Sequence, residues 1–418
     1  MRESAGKVLM FVENNFPKDS RVKNEAYTLK REGYKVTVIA LRGEGERVRE
    51  EIDGVVTYRI PRLTLFRKKT LNRNSSKANN IFHYVKSMLG YVGEYCYFTS
   101  ACMALSLYVL VREGFDVLHA HNPPDSLFLI GCIYKLFGKK FVFDHHDLCP
   151  ELFLSRFRLK AGIIFWILLA IEWFSLRLAD MVIATNESYR EIEIKRGKLN
   201  RSKVFVVRNG PDLDRVKIVA PDEGLKGSGK VIIGYVGIMG PQDGVDYLLR
   251  ALKHLVFEIG RKDFYCIIIG TGDSLEDLKE MAKEFNIGEH VCFTGYIPDE
   301  DMLRYLSTAD ICVDPDPSSP LNDESTWIKI MEYMALGKSI VSFDLKESRY
   351  TAQQAAIYVT PNDERQFARA IVSLMDNPAE REKMGAFGLK RVKKELAWQH
   401  VSKNLLSAYQ SMCKGQVK

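Results

Sequence analysis

Apolar positions along the chain fall into short β-branched runs separated by stretches with helical spacing. In the first half, strands are predicted at Lys7–Val12, Lys35–Leu41, Val55–Ile60, Val117–Ala120, Lys140–Asp144, Met181–Ala184 and Val204–Arg208. Helices are predicted at Lys23–Glu32, Leu127–Phe137, Ile163–Leu178 and Ser188–Arg196. Buried strands that alternate with helices imply a parallel sheet covered on both faces. The polar stretch Pro211–Lys230, rich in Pro, Gly and charge, breaks the pattern as an interdomain linker would. The alternation then restarts. Strands are expected at Val231–Val236, Tyr265–Ile269, Val291–Phe293, Ile311–Val313, Ser339–Phe343 and Ile357–Val359. Helices are expected at Val245–Ile259, Leu275–Phe285, Asp299–Ser307, Ser325–Leu336 and Glu364–Met375. The fold class is therefore α/β. Two Rossmann-like domains are expected, at residues 1–212 and 228–396, with a C-terminal helix (397–418) packing back on the first domain.

Composition changes this picture little. At 418 residues, 46% hydrophobic and 27% charged, the chain is too long for one ordinary core and has the makeup of a folded protein. Its eight cysteines are scattered without a Cys-x-x-Cys pair, the pattern of reduced thiols in a cytoplasmic protein rather than of a disulfide framework or zinc site. Met1–Lys7 is polar and precedes a run of only strand length, so a secretory signal is not expected.

Charge is more informative. Residues 1–220 hold 36 basic and 24 acidic residues, a net +12, whereas 221–418 hold 24 and 29, a net −5. No acidic residue lies between Asp53 and Glu94, where Arg59, Arg62, Arg67, Lys68, Lys69, Arg73, Lys77 and Lys86 alternate with Leu63, Leu65, Phe66, Leu71, Ile81 and Phe82. Such a segment suits an anionic membrane surface or a phosphorylated lipid, and equally a solvated basic loop. Tyr95–Val111 and Ala161–Ile171 are apolar but fall short of the ~20 residues of a spanning helix. They are expected as buried or interfacial helices, with the protein peripheral on the inner face of the cell membrane. A nucleic-acid partner is not expected.

The stretch with most chemistry is "DPDPSSPLNDESTWIKIMEYMALGKSIV", from Asp314 to Val341. Asp323-Glu324-Ser325 can cap a helix that runs to Leu336, and Gly337 can end it. Eight helical steps place Glu332 ~12 Å beyond Glu324, one carboxylate at the helix entrance and one two turns inside. Free N–H groups at that entrance suit a diphosphate, and Lys329 in the second turn could reach its oxygens. A carboxylate on each side could accept hydrogen bonds from vicinal hydroxyls of a sugar and a ribose.

Here the chain resembles the family 4 retaining glycosyltransferases of the GT-B fold, in which two Rossmann-like domains are facing across a cleft and a paired Glu-x7-Glu precedes a run like "EYMALGKSIV". "RVKNEAYTLKREGYKVTVI", "DVLHAHNPPD", "FVFDHHDLCPELF", "RNGPDL", "GYVGIMGPQDGVDYLLRAL", "IIIGTGDSLEDL" and "FTGYIPDEDMLRYLSTADICVDP" follow in that family's order, over nearly the whole chain. The resemblance implies transfer of a hexose or N-acetylhexosamine from a UDP- or GDP-sugar to a lipid-linked or glycan acceptor, with retained configuration. It implies that Glu332 holds the ribose and Glu324 the transferred sugar. Gly295, Tyr296 and Ile297 would line the base pocket, with His146, or the adjacent His145, beside the sugar. Gly237, Gly240, Gly244, Gly270, Gly272 and Ser325 would belong to the donor site. No metal or other cofactor is expected.

One departure stands out. Many members carry an Arg and a Lys that clamp the donor diphosphate, but "GIMGPQDGVD" places Ile238 and Asp243 there, so Lys329, Arg208 or Arg21 would have to supply the charge. That gap keeps open a nucleotide-sugar-binding subunit with weak turnover. A sugar-nucleotide epimerase or a Rossmann oxidoreductase is the rival enzyme class. Asp314-Pro315-Asp316 has the form of a metal-binding pair but also of a structural loop, and Gly270-Thr271-Gly272 lacks a third glycine. His119 and His121, at a strand end, fit a hydrogen-bonded core as well as a site.

Overall fold

A computed structural model describes residues 5–65, 77–157 and 161–414, which form two compact units. The first comprises residues up to Arg208 together with Ser402 onward, the second Asn209–Val401.

Strands of the first unit are β1 (Lys7–Asn15), β2 (Lys35–Leu41), β3 (Arg49–Ile52), β4 (Val55–Ile60), β5 (Val117–His121), β6 (Lys140–His145), β7 (Met181–Ala184) and β8 (Val204–Val206). They form one sheet in the order β3-β4-β2-β1-β5-β6-β7-β8, parallel except for β3 against β4. The helices are α1 (Ser20–Arg31), α2 (Lys77–Arg112), α3 (Phe128–Leu136), α4 (Cys149–Phe157), α5 (Ile163–Leu178) and α6 (Glu187–Gly197). Asp19 caps α1 through the Val22 N–H (3.0 Å), and Asn186 caps α6 through that of Tyr189 (2.7 Å). Strand β3, "REEI", is charged because it is an edge, and its pattern gave no apolar signal.

Helix α2 differs from the expectation of a short apolar segment, since its stretch Met88–Arg112 is long and apolar enough to cross a membrane. Its Phe98, Cys102, Ser106 and Val109, spaced at helical intervals, are buried, and the Ser106 hydroxyl meets that of Tyr134 on α3 at 2.8 Å. It is thus packed as part of the unit.

The second unit contains a one-turn helix, α7 (Glu223–Lys226), then β9 (Val231–Val236), α8 (Val245–His254), β10 (Phe264–Ile269), α9 (Leu275–Glu284), β11 (Val291–Gly295) and α10 (Asp299–Thr308). After these come β12 (Ile311–Asp314), α11 (Ile328–Ala335), β13 (Ser339–Phe343), α12 (Lys346–Ala352), β14 (Ala356–Val359), α13 (Glu364–Met375), α14 (Pro378–Arg391) and α15 (Trp398–Lys414). The sheet order β11-β10-β9-β12-β13-β14 is wholly parallel. Period-two alternation divides its strands between two cores. Cys266 and Ile268 of β10 face one cluster with Val313 and Phe343, while Ile267 and Ile269 face the other with Cys312 and Ile340. Both faces being covered explains why these strands read as unbroken apolar runs.

From Ser402 onward α15 belongs to the first unit, where Tyr409 bonds His119 (2.8 Å) and Asn404 donates to the Val206 carbonyl (3.0 Å). The seven cysteines whose side chains are described are free.

Candidate functional site

In the second unit the strand order reverses direction between β9 and β12. Ligands of such sheets bind outside the carboxyl ends of the strands at this switch point. The loops that leave β9, β10, β11 and β12 there carry the predicted residues Gly237, Gly240 and Gly244; Gly270 and Gly272; Tyr296 and Ile297; and Ser325 with Glu324, while Gly295 ends β11.

The glycines act on one another. Gly244 has φ 66°, and a Cβ there would lie 1.9 Å from the Pro315 carbonyl oxygen. A Cβ on Gly270 (φ 127°) would lie 1.9 Å from the oxygen of Gly237. Only glycine permits either approach, so the loops after β9, β10 and β12 stack backbone against backbone. Asn322 adds a stitch, donating to the Gln242 and Pro317 carbonyls at 2.8 Å each. Asp243 accepts from the Gly240 N–H at 2.8 Å, so the residue that replaces a cation serves to close this loop. Ile238, at the other departure, is 68% exposed.

Helix α11 begins three residues later than predicted. Its N-cap is Trp327 and no side chain caps it, because Ser325 donates instead to the Leu321 carbonyl (2.7 Å) and Thr326 to Glu347 (3.1 Å). Glu324 therefore lies in the turn before the helix, half-exposed, with the Lys346 ammonium 3.6 Å away. Glu332 is buried on α11 and meets Arg215 at 3.1 Å. Burial raises its pKa, and the Arg215 charge opposes that rise. Arg215, which also grips Asp299 at 2.6 Å, was not singled out in the sequence, since a linker arginine carries no periodic signal.

Lys329 was expected to reach a phosphate. Its buried ammonium instead pairs with Asp316 and, at 3.4 Å, with Asp314, over the Tyr235 ring. Asp314 further accepts from Ser342 (2.8 Å). Burial alone would lower the Lys329 pKa, but these carboxylates outweigh it and hold the ammonium charged. The Asp-x-Asp pair thus holds a lysine.

The remaining predicted residues lie in the first unit. His146 is half-buried, its N–H donating to Asn122 (2.7 Å), whereas His145 is fully buried against Glu193 (3.0 Å). Arg208 is buried where the unit ends. Arg21 is committed as well, clasping Asp144 with two nitrogens (2.7 and 2.6 Å) and reaching the Val207 carbonyl. Around it Glu25, His119, His121 and Asp144 bring ligand-type atoms within 4.8 Å of one another, a group the sequence expectation of no metal cluster did not foresee. The His119-x-His121 spacing was its only sequence signal. Arg21 supplies a positive charge to this group, 3.3 Å from Glu25.

Two family models match in chain order. Glycosyltransferase Family 4 covers residues 20–215 and Glycosyl transferases group 1 covers residues 217–391. A GDP-mannose-dependent monoacylated alpha-(1-6)-phosphatidylinositol monomannoside mannosyltransferase of Corynebacterium glutamicum is 26% identical over 41% of this chain and 45% of its own. An Escherichia coli UDP-Gal:alpha-D-GlcNAc-diphosphoundecaprenol alpha-1,3-galactosyltransferase is 24% identical over 50% of this chain and 54% of its own. The chain thus spans about half the length of the curated relatives it matches. Sucrose-phosphate synthase of Thermosynechococcus elongatus shares the fold over 98% of this chain and 100% of its own, with TM-score 0.71 and 17% identity.

Proposed function

We infer that this chain, which belongs to the family 4 glycosyltransferases, moves a hexose or N-acetylhexosamine from a UDP- or GDP-sugar to a lipid-linked or glycan acceptor with retained configuration. The observation that carries the reading is the placement of Glu324 and Glu332 on either side of the uncapped start of α11, at the switch point of a Rossmann-ordered sheet. The aligned backbone dipoles at that helix start favour the diphosphate, and favour it more as the C1–O bond breaks and negative charge gathers on the leaving group. Glu332 holds the ribose diol, exchanging or sharing its contact with Arg215. Glu324, half-exposed beyond the helix, holds hydroxyls of the transferred sugar. As the acceptor oxygen bonds to C1 from the face the leaving group departs, its proton passes to a donor phosphate oxygen, so no protein nucleophile is required. Relatives named for lipid-linked acceptors support the acceptor class.

Glu332→Gln should weaken donor binding by about 1.5–3 kcal/mol, the usual worth of a hydrogen bond to a charged group. Glu324→Gln should chiefly lower kcat, because its contacts orient the reacting sugar. Calorimetric titration with UDP- and GDP-sugars, beside donor turnover, checks both. Unchanged constants in two folded variants would contradict the site. A second reading, donor binding without turnover, draws on Ile238, Asp243 and the paired Lys329. Donor hydrolysis by the isolated chain would dismiss it.

A further inference from the structure

Helix α5 is built inside out. Its sequence, "IIFWILLAIEWFSLRL", has two charged residues, and the fold turns Glu172 inward to Arg196 (3.0 Å) while apolar side chains face solvent. The buried residues of the helix are Glu172, Ser175 and Leu176, and none of Ile163–Ile171 is buried. Ile163 is 81% exposed and Trp166 66%. Helix α3 continues the face, since its Phe128 stacks on Phe174 of α5 at 5.8 Å and its Leu129 is 50% exposed. A contiguous apolar face of this kind marks an interaction surface.

Charge indicates what covers it. The chain has four carboxylates between Ser126 and Leu178, and Asp144, Glu151 and Glu172 are buried and Asp147 half-buried. The described cations of the same stretch, Lys135, Lys139, Lys140, Arg156 and Arg177, are half-buried or exposed. Lys135 donates to the Leu178 carbonyl where α5 ends (2.7 Å) and Arg177 lies on α5 itself; Lys135 and Lys140 share Asp180 and Lys139 approaches Asp116, so the stretch keeps a net positive charge. A second copy of the chain, related by a two-fold axis, would cover the apolar face but set these cations near their own duplicates. Anionic lipid satisfies both features.

We propose that α5 lies flat in the surface of an anionic bilayer, with Ile163 and Trp166 at the acyl boundary and Arg156 and the lysines of this stretch among the headgroups. The sequence offered Ala161–Ile171, most of it within α5, as a buried or interfacial helix, and the separate Gly54–Gly93 stretch as a membrane contact or a solvated loop; of the latter, Arg67, Lys68, Lys69 and Arg73 lie outside the described residues. The inference does not depend on the sugar-transfer reading, because vesicle binding is measured without donor.

The test uses the full chain with vesicles of phosphatidylcholine alone or mixed with phosphatidylglycerol, followed by sedimentation and tryptophan emission. Sedimentation with the mixed vesicles and a blue shift are expected, both lost in the Ile163→Ser, Trp166→Ser double variant. Lys139→Ser with Arg156→Ser should weaken binding on the order of tenfold, as should raised salt. Absence of the chain from sedimented anionic vesicles would overturn the proposal, as would undiminished binding by the double variant. Equal binding to both vesicle types would overturn its electrostatic half. A wild-type dimer that the double variant converts to monomer would assign the face to self-association and overturn it outright.

Discussion

Lys329 shows most clearly what one residue's identity leaves open. Its type and spacing suggested a phosphate contact, yet its partners are Asp314 at the end of β12 and Asp316 in the loop between β12 and α11. That loop postponed the helix by three residues, and a capping motif read along the chain could not register that Ser325 bonds backward to Leu321. Glu332 was legible for the opposite reason, since a carboxylate set between Met331, Tyr333 and Met334 needs a partner, although the partner, Arg215, was not. If the Lys329 cluster is structural, Lys329→Met should cost about 3–5 kcal/mol by stranding buried carboxylates. Adding Asp316→Asn should recover part of that loss in urea unfolding. A stable Lys329→Met single variant that has lost donor affinity would instead return the lysine to the phosphate.

Among the elements, strands of both sheets were readable because burial on two faces makes them continuous apolar runs. Strand β3 and the full length of α2 were not, one being a charged edge and the other a helix whose buried residues are a minority of its surface. The end of β6 carries a consequence for pH. Burial first, then the nearby Arg196 charge, lowers the His145 pKa from 6.5 to about 3, so the folded imidazole is neutral where the unfolded one is protonated. The unfolded state therefore binds the extra proton as pH falls from 6.5 towards 3, and stability is lost in that window at up to about 1.4 kcal/mol per pH unit. His145→Gln should flatten this part of the stability curve, as measured by urea midpoints between pH 7 and pH 5. An unchanged slope would mean that His145 is already charged when folded.

Across the whole molecule, the sequence separates a basic half from an acidic one, and the fold divides near the same place. The proposed division of labour follows: a first unit with an apolar, cation-rimmed helix, and a second whose sheet presents a diphosphate-binding switch point. Glycosyl transfer at that site with the configuration kept and no divalent ion required is the central claim. On this proposal helix α11 takes the place of the metal that would otherwise neutralise the leaving diphosphate. The most direct measurement incubates the full chain with UDP- and GDP-sugars and candidate lipid-linked acceptors in excess chelator, and reads the product's anomeric linkage by NMR. A product with the donor's anomeric configuration, formed in chelator and diminished in Glu332→Gln, is the predicted result. An inverted linkage, or activity abolished by chelator and restored only by Mg or Mn, would contradict it.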